Sequence, residues 1–395
     1  MARTSNNRSL TERLDAIRAG APRRSPTVRA LASYSGHADC NLATLGFTAR
    51  VDFDRLLAGT EYEAPFGQSP FAFARGLRFE RILADRGYAA TLELLRTSMG
   101  FGISDARIVS LRNLYAKNAQ GMSLRAQDTR VLVRQLIKAD ANAPNLIDGA
   151  VLEAAIGGVP ARFEADAIAA RFGGPIHAGE VKSFPVVDER ADPEKLASAL
   201  DQVAIYILLT KWLIAELRGD PNLVSTTAML STPKNVGLTP TLSRKDVGSR
   251  VARVERMLNS VPRASDIADA LPSNMNFRTV ADTSVDVNHR VDALHDIADT
   301  VGTAYNETGL STCGNAVFCR ERAFREGSPC MSGGQLVRLL PGIRSLGRAA
   351  ELTDGAPPVV DETPVATHLA RAGRLYDSAV NQLPKIKSKG KRAAR

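Results

Sequence analysis

The chain is poor in the features that define several large protein classes. Its 395 residues include only four cysteines and one tryptophan, so it is not a disulfide-rich scaffold. The Arg-rich residues 1–30 contain no apolar stretch of the kind a secretory signal needs, and we expect a cytoplasmic protein. The longest apolar stretch, residues 203–217, is interrupted by Lys211 and Glu216 and predicts a buried helix without a membrane role.

Several common catalytic motifs are missing as well. The sequence has no Gly-x-x-x-x-Gly-Lys-Ser/Thr phosphate loop, so we expect no motor ATPase in this chain. It also has no Gly-x-Gly-x-x-Gly and no His-Glu-x-x-His, which argues against a dinucleotide-binding enzyme and a zinc protease.

The positive charge is concentrated at the two ends of the chain. The formal net charge is +9, yet residues 1–30 carry seven arginines against Glu12 and Asp15, and residues 385–395 carry six basic side chains and no acid. The part between them is therefore close to neutral. We predict a flexible basic N-terminal arm over 1–30 and a basic tail over 385–395. Such ends favour nucleic acid, although a basic end can also serve only to keep a protein soluble.

Hydrophobic residues make up 44% of the chain, enough for one large domain or two modest ones. We predict a folded body over 31–332 with a helical insertion at about 91–156. A helical C-terminal region with a Pro-rich linker should follow over 333–384.

The middle of the chain predicts an α/β fold with a small mixed central sheet flanked by helices. Two strands around Gly173-Gly174-Pro175 read as a hairpin, because short apolar segments flank a Gly/Pro turn. Asp192 and Pro193 are typical of a helix start. In chain order, the predicted elements are strands at 161–172 and 176–184, a helix at 193–217, a strand at 223–232, and helices at 245–260 and 285–304.

Three side chains of this hairpin predict a polar site. Glu180 and Lys182 are two residues apart and share a strand face. Asp166 lies on the facing strand, opposite Glu180 if the two indices sum to 346 and opposite Lys182 if they sum to 348. Two carboxylates suit Mg²⁺ or Mn²⁺, and the lysine can orient water or stabilise a phosphate. An ordinary cross-strand salt bridge is the alternative.

Two flanking motifs carry further polar side chains. Gln202 and Tyr206 are four residues apart on an otherwise apolar helix, so they lie one turn apart on one face. They either serve the polar site or simply mark the helix boundary and core. Upstream, Glu80 lies four residues after Gly76 in a segment with helical spacing. Its alternative role is that of an ordinary surface carboxylate.

Taken in order, these motifs resemble the PD-(D/E)XK nuclease superfamily, and within it the RecB-like exonuclease branch. The resemblance covers roughly residues 35–330 and implies a restriction-endonuclease-like core. It implies that Glu80, Asp166, Glu180 and the carbonyl of Val181 hold the metal. It also implies that Lys182 positions the attacking water, and that Gln202 and Tyr206 brace the site and the DNA end.

The four cysteines fit the same resemblance. Cys40 precedes the first motif, and Cys313, Cys319 and Cys330 follow the last one. Iron–sulfur members of the family, among them CRISPR-adaptation exonucleases and AddB-type nuclease subunits, are arranged in this way. The resemblance implies one [4Fe–4S] cluster held by four thiolates. Structural zinc, with His37 as a possible ligand, and ordinary buried thiols are the alternatives.

The sequence therefore predicts a metal-dependent DNA nuclease, with Mg²⁺ or Mn²⁺ as cofactor. We expect an exonuclease that acts on DNA ends or single strands in recombination, repair or defence, with any helicase or recombination partner on a separate chain and oligomerisation possible. A sequence-specific restriction-type endonuclease of the same fold is one alternative. A noncatalytic DNA-binding or assembly protein is the other.

Overall fold

The structure is a computed structural model that describes residues 9–37, 39–63, 70–102, 106–306, 309–310 and 312–382. The predicted basic tail over 385–395 lies outside these residues. The chain divides into two compact units. The first comprises Met1–Ala304 with Ser311–Asn315, and the second comprises Tyr305–Leu310 with Ala316–Arg395.

The first unit is built around a six-stranded mixed sheet in the order β1-β2-β3-β4-β5-β6. The strands are β1 Ile108–Ser110, β2 Leu146–Ile156, β3 Val159–Ala170, β4 Ile176–Val181, β5 Thr227–Pro233 and β6 Pro240–Asp246. The β1–β2 and β4–β5 pairs are parallel, and the other three pairs are antiparallel. The prediction of an α/β fold with a mixed sheet is confirmed at this level.

Twelve described α-helices belong to the first unit. They are α1 Leu10–Arg18, α2 Val28–Ser35, α3 Asn41–Thr48, α4 Phe53–Leu56, α5 Pro70–Met99, α6 Leu111–Leu114, α7 Ala119–Ile137, α8 Pro193–Glu216, α9 Gly248–Ser260, α10 Ala264–Ala270, α11 Arg278–Ala281 and α12 Val287–Val301. A 3₁₀ turn spans Pro221–Leu223. Helix α5 is interrupted by non-helical backbone at residues 85–88.

The β3–β4 hairpin adopts the first of the two registers predicted from the sequence. Ala167 pairs with Gly179 and Ala170 pairs with Ile176, so paired indices sum to 346. This register brings Asp166 level with Glu180 at the end of the paired segment.

Helix α8 connects the parallel strands β4 and β5 and forms the centre of the core. Its first turn is capped by the Asp192 side chain, which accepts hydrogen bonds from the backbone N–H groups of Glu194 and Lys195, and Pro193 occupies the first turn. It is long and apolar enough to cross a membrane by length and composition, but 67% of its most apolar stretch is buried inside the protein. That burial is typical of a core helix.

Both faces of the sheet are covered. Ile147 lies in the large cluster that includes the apolar residues of α8, whereas its neighbour Leu146 packs with Leu95 of α5 and with Met229 of β5. Adjacent strand residues point to opposite faces, so this pair shows that both sides of β2 are apolar.

Part of the predicted N-terminal arm is folded. Helix α1 begins with a capping box between Ser9 and Glu12, and it buries Leu14 and Ile17. Leu31 on α2 is also fully buried. The prediction of a flexible arm is wrong for residues 9–30. The many arginines of this segment suggested flexibility, whereas the spacing of its apolar residues is that of an amphipathic helix.

The predicted helical insertion at about 91–156 is helical only in part. Besides α6 and α7 it contains β1 and the long strand β2, which is a central strand of the sheet. The Ala-rich sequence of β2 shows weak β propensity, and its pairing with β3 determines its conformation. The predicted helix at 245–260 begins only at Gly248, because residues before it belong to the edge strand β6.

The second unit consists of four described α-helices, α13 Ala316–Arg325, α14 Gly334–Leu339, α15 Leu346–Thr353 and α16 Thr363–Gln382. Two 3₁₀ turns, Pro329–Ser332 and Val360–Glu362, connect them. Leu340, Leu352 and Val365 belong to its small apolar cluster. Arg348 forms a two-point ion pair with Glu362 at 2.7 and 2.9 Å, which fixes the predicted Pro-rich linker to α15.

Candidate functional site

The predicted catalytic residues come together where β3 and β4 meet the first half of α8. Asp166 is on β3, Glu180 and Val181 end β4, and Lys182 follows directly. Gln202 and Tyr206 face them from α8, and both are buried. The residues therefore form one polar site inside an apolar core.

Glu180 has the most unusual environment in this site. It is 2% exposed, and Lys182 is paired with one of its carboxylate oxygens. The other oxygen, Oε2, is buried and makes no well-formed hydrogen bond among the described residues, although the Tyr206 hydroxyl interacts with the carboxylate. Burial and the nearby charge of Asp166 raise the pKa of Glu180 to about 8, although Lys182 and Tyr206 act in the opposite direction. A buried carboxylate with an unbonded oxygen is costly unless it has a ligand.

Lys182 is held in place from α8. Its Nζ donates to Oε1 of Gln202 at 3.0 Å, and Nε2 of Gln202 in turn donates to the Ser198 carbonyl at 3.1 Å. The i, i+4 spacing on α8 places Tyr206 one turn further along. Burial, followed by the charge of Glu180, raises the pKa of Tyr206 well above its usual value. The hydroxyl therefore stays protonated and can donate a hydrogen bond to the Glu180 carboxylate.

Asp166 is anchored to the neighbouring strand. Its Oδ2 accepts a hydrogen bond from the backbone N–H of Val181 at 2.9 Å, and Nη2 of Arg112 lies 3.4 Å from its Oδ1. The bond fixes the carboxylate beside the end of β4, next to Glu180. Neutralising charge at Asp166 comes from Arg112, whereas Lys182 is paired with Glu180.

Glu80 reaches the site from α5 through the same arginine. Nη1 of Arg112 lies 3.4 Å from Oε2 of Glu80. Burial and the charge of Asp166 raise the pKa of Glu80, while Arg112 lowers it. Glu80 is therefore electrostatically coupled to Asp166, as expected if the two share a cation, but it remains partly exposed at the rim.

Arg112 is the main residue that sequence reasoning missed. Its guanidinium forms ion pairs with four carboxylates: Glu80 at 3.4 Å, Asp148 at 3.7 Å, Glu164 at 2.9 Å and Asp166 at 3.4 Å. Burial alone would lower the pKa of Arg112, but the surrounding carboxylates raise it overall. Arg112 is therefore a permanent positive charge at the centre of the acidic cluster.

Arg125 on α7 is a second missed arginine, and it is completely buried. Its Nη1 lies 2.9 Å from Oε2 of Glu164, and its Nε donates to the carbonyl of Gly149 at 3.1 Å. Gly149 has φ +67°, and a Cβ there would lie 2.7 Å from the Arg125 guanidinium and 2.9 Å from Cβ of Arg112. Glycine is thus required for both arginines to approach β2.

Asp148, beside Gly149, accepts hydrogen bonds through one of its oxygens. Its Oδ2 accepts hydrogen bonds from Tyr88 at 2.8 Å and Ser110 at 2.7 Å. The sequence offered one signal for this part of the site, because an Asp-Gly inside a strand often marks an irregularity with a polar environment. The arginines carried no local signal, since their partners are distant in sequence.

The predicted cysteine ligands lie in both units. Cys40 caps the start of α3, and the Cys313 thiol interacts electrostatically with it. Burial raises the pKa of both thiols, that of Cys313 to about 11. Cys319 is on α13 and Cys330 is in the Pro329–Ser332 turn of the second unit. His37 is buried, its pKa is lowered by burial, and its Nε2 contacts Thr312 at 3.1 Å.

The donor atoms at the hairpin are of the type that a hard divalent cation prefers. Carboxylate and carbonyl oxygens are the preferred ligands of Mg²⁺ and Mn²⁺, and the unbonded Oε2 of Glu180 is a free donor of this type. Among the described residues, no three His, Cys, Asp or Glu side chains are gathered closely enough to form a metal-binding group. Arg112, at 3.4 Å from Asp166 and from Glu80, supplies positive charge between them.

Comparison of the chain with protein-family models gave no match. A search of curated proteins gave no significant match either.

Proposed function

We propose that the chain is a metal-dependent DNA nuclease with a restriction-endonuclease-like core. The observation that carries the proposal is the environment of Glu180. Its carboxylate is buried, one oxygen is unbonded, and Asp166 and Lys182 flank it. A group arranged in this way destabilises the protein on its own and is explained if it binds a cation during function.

Four groups would hold the cation: the carboxylates of Glu80, Asp166 and Glu180 and the backbone carbonyl of Val181. When bound, a divalent ion supplies Lewis-acid activation of a phosphodiester and neutralises the charge that develops on it. The protein excludes bulk solvent on the Glu180 side, because α8 covers that carboxylate. Electrostatic interactions there are stronger than in water.

Lys182 has two roles in the proposed reaction. Its ammonium orients the water that attacks the phosphorus, and it stabilises the negative charge on the phosphate oxygens. Gln202 accepts one of the Nζ hydrogens at 3.0 Å, which restricts the lysine to one direction. Tyr206 remains protonated beside Glu180 and prevents that side of the site from filling with solvent.

The test is cleavage of end-labelled single- and double-stranded linear DNA with Mg²⁺, with Mn²⁺ and with EDTA. We expect metal-dependent degradation that Lys182→Ala reduces by at least about 10²-fold, a typical loss when one donor that stabilises transition-state charge is removed. Lys195→Ala is the matched control, because it removes an exposed lysine that pairs only with Asp192, at 3.7 Å. Its activity should equal that of the unmodified protein.

Folded protein that leaves every substrate intact with either metal would contradict the proposal. So would cleavage that Lys182→Ala leaves unchanged. A ladder of end-derived products from linear DNA, with closed circles untouched, would support the exonuclease. Discrete fragments from closed circular DNA would support the restriction-type alternative of the same fold. Salt-sensitive binding without cleavage would favour the noncatalytic DNA-binding role.

A [4Fe–4S] cluster held by Cys40, Cys313, Cys319 and Cys330 remains part of the proposal. Asn315, two residues after Cys313, is buried, and neither of its side-chain polar atoms has a hydrogen-bond partner among the described residues, which supports a bound group at this position. Protein purified without oxygen should contain about four iron and four sulfide per chain. Cys313→Ala should lose them, whereas zinc in place of iron would support the alternative.

A further inference from the structure

The first half of α5 presents apolar side chains to solvent beside the candidate site. Phe71 is 87% exposed, Phe73 is 59% exposed and Leu77 is 39% exposed. Exposed aromatic residues so close together are unusual for a surface helix, whose apolar residues normally face the core. Phe79, on the same helix, is completely buried and shows the ordinary arrangement.

This half of α5 is fixed to the end of the catalytic strand. Nε of Arg75 donates to the carbonyl of Ser183 at 2.8 Å, directly after Lys182. Nη2 of Arg75 also bonds the carbonyls of Val236 and Gly237, at 3.2 and 2.9 Å, in the turn between β5 and β6. These three bonds hold the exposed helix face at the edge of the site.

The exposed residues fall on two faces of the helix. Phe73, Leu77 and Glu80 follow the i, i+4, i+7 spacing and form one stripe. Phe73 lies about 10 Å along the helix axis from Glu80. Phe71 lies on the opposite face, because it is nine residues and two and a half turns from Glu80. The Phe73 stripe therefore leads to the candidate metal ligand.

The surroundings of the stripe are basic. Arg81 on α5 is exposed and lies about 80° around the helix from Phe73, and Lys234 in the turn that Arg75 contacts is exposed as well. Positive side chains beside an exposed ring are the combination that single-stranded nucleic acid uses, since phosphates meet the charges and unpaired bases stack on the ring. Inside a duplex both faces of each base are covered by its neighbours, so only unpaired bases or those at a duplex end could stack in this way.

We propose that Phe73 and Leu77 form a stacking platform for unpaired bases of a DNA strand whose phosphodiester reaches the Glu80 side of the site. This inference rests on the proposed nuclease function, and it specifies the substrate as a single strand or a single-stranded end.

The test uses binding of a single-stranded oligonucleotide that carries 2-aminopurine, with EDTA present and in the Lys182→Ala background so that no strand is cut. Binding to the protein with Phe73 should quench the 2-aminopurine fluorescence, because stacking quenches this base. Phe73→Ala should raise Kd by about 5- to 30-fold, which corresponds to about 1–2 kcal/mol of base stacking. Phe73→Trp should restore both affinity and quenching.

Two matched variants separate stacking from other causes. Phe71→Ala removes a more exposed ring from the opposite face and should leave Kd and quenching unchanged. Phe73→Leu keeps an apolar side chain but removes the ring. Like Phe73→Ala, it should therefore fail to quench the 2-aminopurine fluorescence. Circular dichroism should show that all variants are folded, since these side chains are exposed.

Equal Kd values and equal quenching for Phe73→Ala and Phe71→Ala would overturn the proposal that Phe73 forms a stacking platform. In that case the stripe would be a surface for another protein. The result is distinguishable from a failure of the proposed function. If cleavage by the unmodified protein is metal-dependent and requires Lys182, but Phe73 has no effect on single-strand binding, then the nuclease stands and only the platform is wrong.

Discussion

Glu164 and Glu180 lie in the same polar region, yet their oxygens are bonded very differently. Each carboxylate oxygen of Glu164 is paired with an arginine, Oε1 with Arg112 and Oε2 with Arg125, both at 2.9 Å. Glu180 is more deeply buried, has one lysine as its charged partner, and leaves Oε2 unbonded. Glu164 is one-third exposed and has two cationic partners, whereas the deeply buried Glu180 has one. Glu164 therefore has a structural role, whereas in our proposal Glu180 binds a cation.

The largest loss of stability on substitution should come from removing an arginine partner of Glu164. Arg125→Met leaves Glu164 with one arginine and leaves the Gly149 carbonyl without this donor. We expect the free energy of unfolding to fall by about 3 kcal/mol, as is typical when one partner of a buried ion pair is removed. Denaturant unfolding measures the change.

Arg130→Met is the matched control, because Arg130 is on the same helix and forms a two-point ion pair with Glu216 at 2.8 and 2.9 Å. That pair is much more exposed, so its loss should cost less than about 1 kcal/mol. Equal losses in the two variants would mean that burial does not distinguish the arginines, and the structural role of Glu164 would be wrong.

The environment of Glu180 should make the stability of the metal-free protein depend on pH. The pKa of Glu180 rises from 4.5 to about 8 in the folded protein. The folded state thus keeps a proton that the unfolded chain releases, so metal-free stability should fall as pH rises from 4.5 through 8. Relative to Glu180→Gln, the unmodified protein should lose on the order of 5 kcal/mol of stability across this range, since one pKa unit corresponds to about 1.4 kcal/mol.

Urea unfolding at several pH values, in EDTA, measures this difference. Glu180→Gln should have a flatter dependence, because glutamine does not titrate. The same flattening should appear when Mn²⁺ is added to the unmodified protein, since the cation favours the ionised carboxylate. Identical dependence of stability on pH with and without the substitution would show that ionisation of Glu180 does not destabilise the folded protein.

A smaller effect on activity should follow from removing the side chain that holds Lys182 in place. Gln202→Ala removes the acceptor that holds Nζ but leaves the lysine and its pairing with Glu180. We expect kcat for DNA cleavage to fall by about tenfold with KM little changed, as for a residue that positions another. Ser198→Ala, which removes only a 3.3 Å contact to Gln202, should have activity close to that of the unmodified protein.

The local features of the site were accessible from the sequence. Turn residues limited the hairpin to two registers, and the i, i+4 spacing placed Gln202 and Tyr206 on one face of the helix. The arginines were not accessible, because Arg112 meets Glu164 and Asp166 only after β1, β2 and β3 pair. The strand β2 was also missed, since its pairing with β3 overrides the weak preference of its alanine-rich sequence.

The most direct test of the central claim is titration of Mn²⁺ into metal-free protein by calorimetry. The account predicts binding of one or two ions that is lost or weakened at least about tenfold in Glu180→Gln and in Asp166→Asn. Glu153→Gln, which removes a carboxylate from an exposed pair with Arg162, should bind Mn²⁺ as the unmodified protein does. Unchanged binding in both site variants, or no binding to folded protein, would contradict the claim that Glu180 and Asp166 form a cation site.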